Sequence, residues 1–211
     1  MNRGIAALEE TVFIHPQAIV EDAQIGANTR IWAFAHVMSG ARIGAGCNIC
    51  DHAFIEGHAV LGNDVTVKNG VAIWDRVTVE DEVFLGPNCV LTNDFNPRAM
   101  VRKSPAELLS TRIGRGATIG ANATVVCGIK IGRGAFIGAG AVVIRDVPDF
   151  ALLVGNPARQ TGWMCACGAR LGLAVSAAAG ESTVCKTCSR KFEKRDQGLA
   201  EILRPDAPAE P

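Results

Sequence analysis

Large apolar residues recur at every sixth position along most of this chain. Phe13, Ile19, Ile25, Ile31, Val37, Ile43, Ile49, Ile55, Leu61, Val67, Ile73, Val79, Leu85 and Leu91 stand in unbroken step. Four places after each of these up to Leu85 comes a small or β-branched residue, among them Ala23, Thr29, Ala35, Cys47, Ala59, Val65 and Cys89, and only Gln17, in the first hexad, departs. The same pair of positions resumes at Ile113 and runs through Ile119, Val125, Ile131, Ile137 and Val143. A period of six is neither the 3.6 of an amphipathic helix nor the 2 of an ordinary strand. It fits short flat strands joined by tight corners, with three hexads closing a triangular coil and each coil hydrogen-bonded to the next at about 4.8 Å. The predicted fold class is all-β, a parallel β-helix with aliphatic ladders inside. A β-sandwich with chance spacing would not hold twenty hexads in register. About 120 residues of repeat predict six to seven coils and a prism roughly 30 Å long.

The rhythm breaks once. Leu91 and Ile113 are 22 residues apart where 6 are expected, so a 16-residue excursion, broadly 93–110, must leave the prism. So long an insertion in so regular a scaffold points to function. It carries Asn93 and Asp94 at its exit and the cations Arg98, Arg102 and Lys103. Positions 18 apart stack, and across the insertion the step becomes 34, so Gly57, Asp75, Asn93 and Cys127 form one vertical row. Beside it run the rows Glu56, Trp74, Thr92, Val126 and His58, Arg76, Asp94, Gly128. Polar groups therefore gather where the insertion leaves.

Composition narrows the class. The 21 Lys and Arg balance 21 Asp and Glu, which favours neither nucleic acid nor an anionic membrane as partner. No apolar run reaches the roughly 18–20 residues of a spanning helix, and Glu9 and Glu10 stand where a signal peptide would be apolar, so the expected location is the cytoplasm. The scarcity of aromatics and the 23 Gly suit a narrow aliphatic interior with tight corners. After 147–163 the pattern changes character. Cys165, Cys167, Cys185 and Cys188 form two tight pairs, spaced C-x-C and C-x2-C. Such pairs suit a zinc-ribbon-like module, in which thiolates around a structural zinc hold a unit too small for its own core. Reduced thiols and a redox or cluster role remain as alternatives. The expected organisation is a β-helix domain over 12–163, a Cys-rich module over 164–204 with a short helix over 196–203, and a disordered tail over 205–211.

Repeats of this kind resemble the hexapeptide family, whose β-helices are left-handed and whose members are mostly acyltransferases. The resemblance implies acetyl-CoA as cosubstrate, a homotrimer, and active sites between neighbouring prisms. The stretch VKNGVAIWDRVTVEDEVFLGPNCVLTNDFNPRA (67–99) resembles the N-acetyltransferases that modify an amino group at C3 of a nucleotide-linked sugar. With GWMCACG (162–168) it is most similar to those acting on UDP-2-acetamido-3-amino-2,3-dideoxy-glucuronate in bacterial surface-polysaccharide (O-antigen) synthesis. Relatives acting on dTDP-3-amino-3,6-dideoxyhexoses share the first motif, so that acceptor is the alternative. A non-enzymatic β-helix scaffold is the rival from another class, and it would not need a phased insertion. A zinc hydrolyase on this fold would need three His, and none follows His58.

The resemblance places Asn93 beside the sugar amine, where its carbonyl would accept an N–H and aim the nitrogen lone pair. Asp94 and Asp75 are candidate proton acceptors, with the leaving thiolate and solvent as others, and His58 shares the row of Asp94. A backbone N–H near Cys127 and Gly128, directly above Asn93, is the candidate oxyanion donor. Trp74 offers an apolar wall for the sugar nucleotide or packs at the trimer seam. Arg98 and Lys103 are candidates for a phosphate or the glucuronate carboxylate. The closing VPDFALLVGNPAR (147–159) resembles the loop that lies beside CoA in many of these enzymes, which makes Arg159, and with it Arg145, Lys130 and Arg133, candidates for the CoA phosphates.

Overall fold

A computed structural model describes residues 11–202. Its strands, most of them two residues long, stack into three parallel sheets that form the faces of a prism. The first face carries eight parallel strands from Phe13–Ile14 to Ala151–Val154, the second seven from Ile19–Val20 to Val142–Val143, and the third six from Gln24–Ile25 to Lys130–Ile131. Eight stacked strands span about 34 Å at the usual strand spacing, slightly longer than the repeat count predicts. The extra layer comes from a final coil of 16 residues, in which Leu152 and Leu153 pair with Phe136 and Ile137.

The register explains the one irregular hexad. Thr66 pairs with Asn48 and Phe84 with Thr66, a step of 18, but Ile14 pairs with Ile31 and Val20 with Val37, a step of 17. The first coil is one residue short. Ile14 and Val20 therefore take the ladder positions, correcting the expected Phe13 and Ile19, and Ala18 replaces Gln17 in the small position, packed against the core. Ile31, Ile49, Ile73, Leu85, Ile113 and Ile137 are fully buried in the ladders. Thr29 fits among them because its hydroxyl donates to the Gly44 carbonyl at 2.8 Å and accepts the Cys47 N–H at 3.0 Å.

Two separate demands shape the corners. The residue after the large position touches the next coil: a Cβ at Gly44 would lie 2.5 Å from the Gly62 backbone. Two places later the chain turns through positive φ, held by Gly40, Gly46 and Gly70 but also by His52, His58, Asp64, Arg76 and Asn88. Polar side chains are thus planted on the corners by the backbone itself.

Beyond Val154 the chain returns as the antiparallel strand Arg159–Met164, followed by Arg170–Leu171, and a three-stranded antiparallel sheet is formed by Ser182–Val184, Lys191–Arg195 and Gly198–Ile202. The short helix expected over 196–203 is instead this last strand, which turns back on Lys191–Arg195. Phe192 packs edge-on against Phe150 at 5.1 Å, and Trp163, Leu171, Phe192 and Leu199 join the β-helix core. This unit covers the open end of the ladders, where unpaired strand edges would otherwise face water. The expected tail at 205–211, and Glu9 and Glu10, lie outside the described residues.

Candidate active site

The insertion leaves the second face after Val90–Leu91 and re-enters the third at Thr111–Ile113. Across it Val79 pairs with Ile113 and Leu91 with Val125, the step of 34 that the stacking arithmetic requires. The row Asp75, Asn93, Cys127 is therefore formed, and Arg145 continues it one coil further, since Val125 pairs with Val143. The neck of the loop is closed by backbone: the Leu109 N–H donates to the Asn93 carbonyl at 2.8 Å and the Thr111 N–H to the Arg76 carbonyl at 3.1 Å. Trp74 braces the exit. Its Nε1–H donates to the Leu91 carbonyl at 2.7 Å, and its ring tilts against Phe54 at 5.6 Å.

Asn93 is half-buried, and its side-chain amide makes no hydrogen bond among the described residues. Asp75 lies one coil away, its N–H donated to Glu56 Oε2 at 2.7 Å and its carboxylate uncommitted among the described residues. Asp94 is differently placed from the expected proton acceptor. Its Oδ1 accepts from Lys103 Nζ and from the Asn96 N–H, and Lys103 Nζ also donates to the Asn96 carbonyl at 3.1 Å. Asp94 and Lys103, the latter a candidate for a phosphate or the glucuronate carboxylate, thus clasp the loop. The Cys127 N–H, expected as an oxyanion donor, donates to Thr92 Oγ1 at 2.9 Å. The Gly128 N–H, the other donor of that expectation, has no hydrogen-bond partner among the described residues. Gly128 takes φ of 84°, and Leu109 closes over it so that a Cβ would lie 3.1 Å from Leu109 Cδ1.

His58 is exposed at the corner two coils below Asp94, where with Asp22, Gln24, Gly40 and Arg42 it lines a separate cavity of about 350 Å³. Arg98 is exposed on the loop, and Arg145 and Arg159 are exposed towards the last coils, Arg159 donating to the Ala158 carbonyl at 3.0 Å. Three contributors escaped sequence reasoning as agents: Thr92, Glu56 and Arg76. Arg76 Nε and Thr111 Oγ1 are both buried at the loop neck without a hydrogen-bond partner among the described residues. The rows already placed Thr92, Glu56 and Arg76 beside Asn93; what the rows could not supply was the direction of each side chain.

The four cysteines converge as expected. The Sγ atoms of Cys165, Cys167, Cys185 and Cys188 lie within 4.8 Å of one another, with Cys165 to Cys188 at 3.4 Å and Cys167 to Cys185 at 3.6 Å. Four thiolates at about 2.3 Å from a tetrahedral zinc would stand about 3.8 Å apart, so the donor set fits that ion, which would supply cross-linking and no chemistry on substrate. The N–H groups of Cys188 and Thr187, directed at the Cys185 sulfur, lower its pKa to about 6, the direction a metal thiolate requires. Burial drives Cys165 the other way. Among the described residues no helix is long and apolar enough to cross a membrane.

The profile of the bacterial transferase hexapeptide (six repeats) matches residues 22–57 and 110–145, on either side of the insertion. The dTDP-3-amino-3,6-dideoxy-alpha-D-galactopyranose 3-N-acetyltransferase of Aneurinibacillus thermoaerophilus is 48% identical over 199 residues, 94% of this chain and the whole of that enzyme. The chain belongs to the hexapeptide-repeat sugar N-acetyltransferases. The bifunctional protein GlmU of Thermosynechococcus vestitus is 31% identical over 139 residues, 66% of this chain but 28% of that protein. Among solved structures, the acetyltransferase domain of PglB from Neisseria gonorrhoeae superposes with a TM-score of 0.49 at 25% identity, covering 72% of this chain and 58% of that one. As a sugar N-acetyltransferase the chain needs an acceptor for an amine N–H, a donor for a developing oxyanion and cations for phosphates. The corner around Asn93 carries the Asn93 amide, the Gly128 N–H and, further along the same row, Arg145.

Proposed function

We propose that this N-acetyltransferase moves the acetyl group of acetyl-CoA to the C3 amine of a dTDP-linked 3-amino-3,6-dideoxyhexose, in bacterial surface-polysaccharide synthesis. The observation that carries this reading is the 48% identity to an enzyme of that specificity over that enzyme's entire length. It shifts the preferred acceptor from the UDP-linked glucuronate to the dTDP-linked sugar. The neutral amine attacks the thioester carbon, the C–N bond forms, the C–S bond breaks, and CoA leaves as thiolate. The proton shed by nitrogen passes to that thiolate, to solvent or to Asp75. A sugar amine is less basic than Lys, so positioning contributes more than proton abstraction. Asn93 accepts an amine N–H, and the Gly128 N–H faces the oxyanion.

Arg76 and Arg98 meet the nucleotide diphosphate, Trp74 forms the wall of the sugar site, and His58 lies towards the nucleotide end. Arg145 and Arg159 serve CoA. The active form is a homotrimer: Phe95, Met100 and Val101 on the insertion, with Met100 95% exposed, need a neighbouring prism to cover them. Zinc holds the cysteine module, and the enzyme works in the cytoplasm, where both substrates are made. The test is a thiol-release assay with acetyl-CoA across dTDP-linked and UDP-linked 3-amino sugars. The expected result is a kcat/KM at least about tenfold higher for the dTDP-linked deoxyhexose, since one unmet polar contact in a fitted site costs that much. Equal turnover, or preference for the UDP-linked glucuronate, refutes the assignment.

A further inference from the structure

Asn93 stands at the corner between the second and third faces, and the backbone there is paired differently from the other two corners. At those two, residues in positive φ donate their N–H to a carbonyl of the preceding coil. His52 donates to Ala33 at 3.2 Å, Asn88 to Asn69 at 3.0 Å, Asp64 to Ala45 at 2.8 Å and Gly116, across the insertion, to Asp81 at 2.9 Å. At the Asn93 corner Gly40 makes this bond, to Asp22, but among the described residues His58, Arg76 and Gly128 do not. For Gly128 the cause is the insertion. The Asn93 carbonyl stands 35 residues before it, as Asp81 stands before Gly116, yet it accepts the Leu109 N–H of the returning loop at 2.8 Å.

The N–H just before such a residue is often held by a side chain of the neighbouring coil. Along this corner Glu21 accepts the Ser39 N–H at 2.9 Å, Glu56 the Asp75 N–H at 2.7 Å and Thr92 the Cys127 N–H at 2.9 Å. Carboxylates serve elsewhere too: Asp81 for Asn63 at 2.7 Å, Glu80 for Arg115 and Asp149 for Arg133 at 2.8 Å. Thr92 is the hydroxyl in this series, and it serves the coil whose next N–H is that of Gly128. Two physical consequences follow. Cys127 is 3% exposed, so without Thr92 its N–H would be stranded and the chain would turn to pair it. Glycine does not fix its own direction, so the aim of the Gly128 N–H, at φ of 84°, depends on how Cys127 is anchored. A carboxylate in place of Thr92 would anchor Cys127 equally well, but it would set a full negative charge one peptide from the place where the thioester oxygen gains its own.

We propose that Thr92 is a positioning residue for acetyl transfer: its neutral hydroxyl anchors Cys127 and so aims the Gly128 N–H, without placing a carboxylate beside the oxyanion. The proposal rests on the reading that sets the oxyanion at Gly128. Wild-type full chain is first offered dTDP-linked and UDP-linked 3-amino sugars with acetyl-CoA, and the sugar it acetylates serves every variant. A wrong acceptor therefore shows in the wild type, and a wrong role for Thr92 shows only in the ratios between variants. Thr92→Val keeps the shape and removes the acceptor. Its kcat should fall about tenfold or more while both KM values stay within about threefold, because the oxyanion exists only in the transition state. The Cys127 amide should exchange faster in this variant, and Thr92→Ser should restore both its protection and kcat to within about threefold of wild type. Thr92→Gln and Thr92→Glu share length and an acceptor and differ in charge. At about pH 8, where a glutamate is ionised, Thr92→Glu should turn over about tenfold or more slowly than Thr92→Gln. That ratio compares two side chains of one shape, so it stands even if Thr92→Val disturbs the loop neck. A cap with a structural role alone predicts equal rates for the pair, as both accept the Cys127 N–H. Equal kcat for Thr92→Gln and Thr92→Glu, wild-type kcat in Thr92→Val, or a loss carried by KM overturns the proposal.

Discussion

Replacing Asn93 by Ala isolates the contact on which the proposed chemistry depends. The backbone carbonyl of Asn93, which closes the loop by accepting the Leu109 N–H at 2.8 Å, is retained by any side chain. The amide itself has no partner among the described residues, so its removal leaves no buried group stranded, and the thermal midpoint should move by no more than about 2 °C. What is lost is one neutral acceptor for the amine N–H, about 0.5–1.5 kcal/mol, which is about two- to twelvefold in rate. Loss of the aim on the nitrogen lone pair extends the effect towards about a hundredfold. The account therefore predicts a fall of about ten- to a hundredfold, carried by kcat, in a continuous assay of free CoA thiol. Asn93→Asp keeps an acceptor but sets a second carboxylate one coil from Asp75. That pair would hold the amine as ammonium and shift the optimum to higher pH. Rates for Asn93→Ala within about twofold of wild type would refute the placement of the amine at this corner.

Three further outcomes follow from the scaffold. Ile73→Ala, at a fully buried ladder position, should cost about 2–5 kcal/mol in denaturant unfolding, and a cost below about 1 kcal/mol would contradict the ladder. Cys185→Ser should lose the zinc found by elemental analysis and raise amide exchange across 164–202 while the coils stay protected. Glu21 accepts from His36 and from the N–H and hydroxyl of Ser39, which lower its pKa to about 2, so its contribution is complete above about pH 4.5 and lost as pH falls through about 2. The difference in melting temperature between wild type and Glu21→Gln should then shrink across that window, and a constant difference would refute it.

The coil, its length and the stacking across the insertion were legible because a six-residue period leaves one register for the ladders, and Ile73 or Ile113 cannot leave it without exposing the whole row. Gln17 was the visible trace of the first coil being one residue short, since a single deletion shifts which of two adjacent apolar residues points inward. Side-chain partnerships were less legible. Nothing in the spacing of Asp94 and Lys103 says that they join each other before any substrate, because a 16-residue loop has no period to fix its geometry. The Cys127 N–H looked available until the Thr92 hydroxyl, one row aside, was found to accept it. The four thiols were foreseeable from spacing. The strand Gly198–Ile202 was not, because its pairing with Lys191–Arg195 and the bridge from Gly198 to Asp149 depend on the end of the β-helix that it covers.

The most direct measurement of the central claim is the structure of the product. The chain is incubated with acetyl-CoA and the dTDP-linked 3-amino-3,6-dideoxyhexose, and the nucleotide sugar is recovered for heteronuclear NMR. The account predicts one acetyl group per sugar, with its carbonyl carbon correlated to the amide proton on C3. An acetyl group on a hydroxyl oxygen, or an unchanged amino sugar in the presence of competent acetyl-CoA, would contradict it.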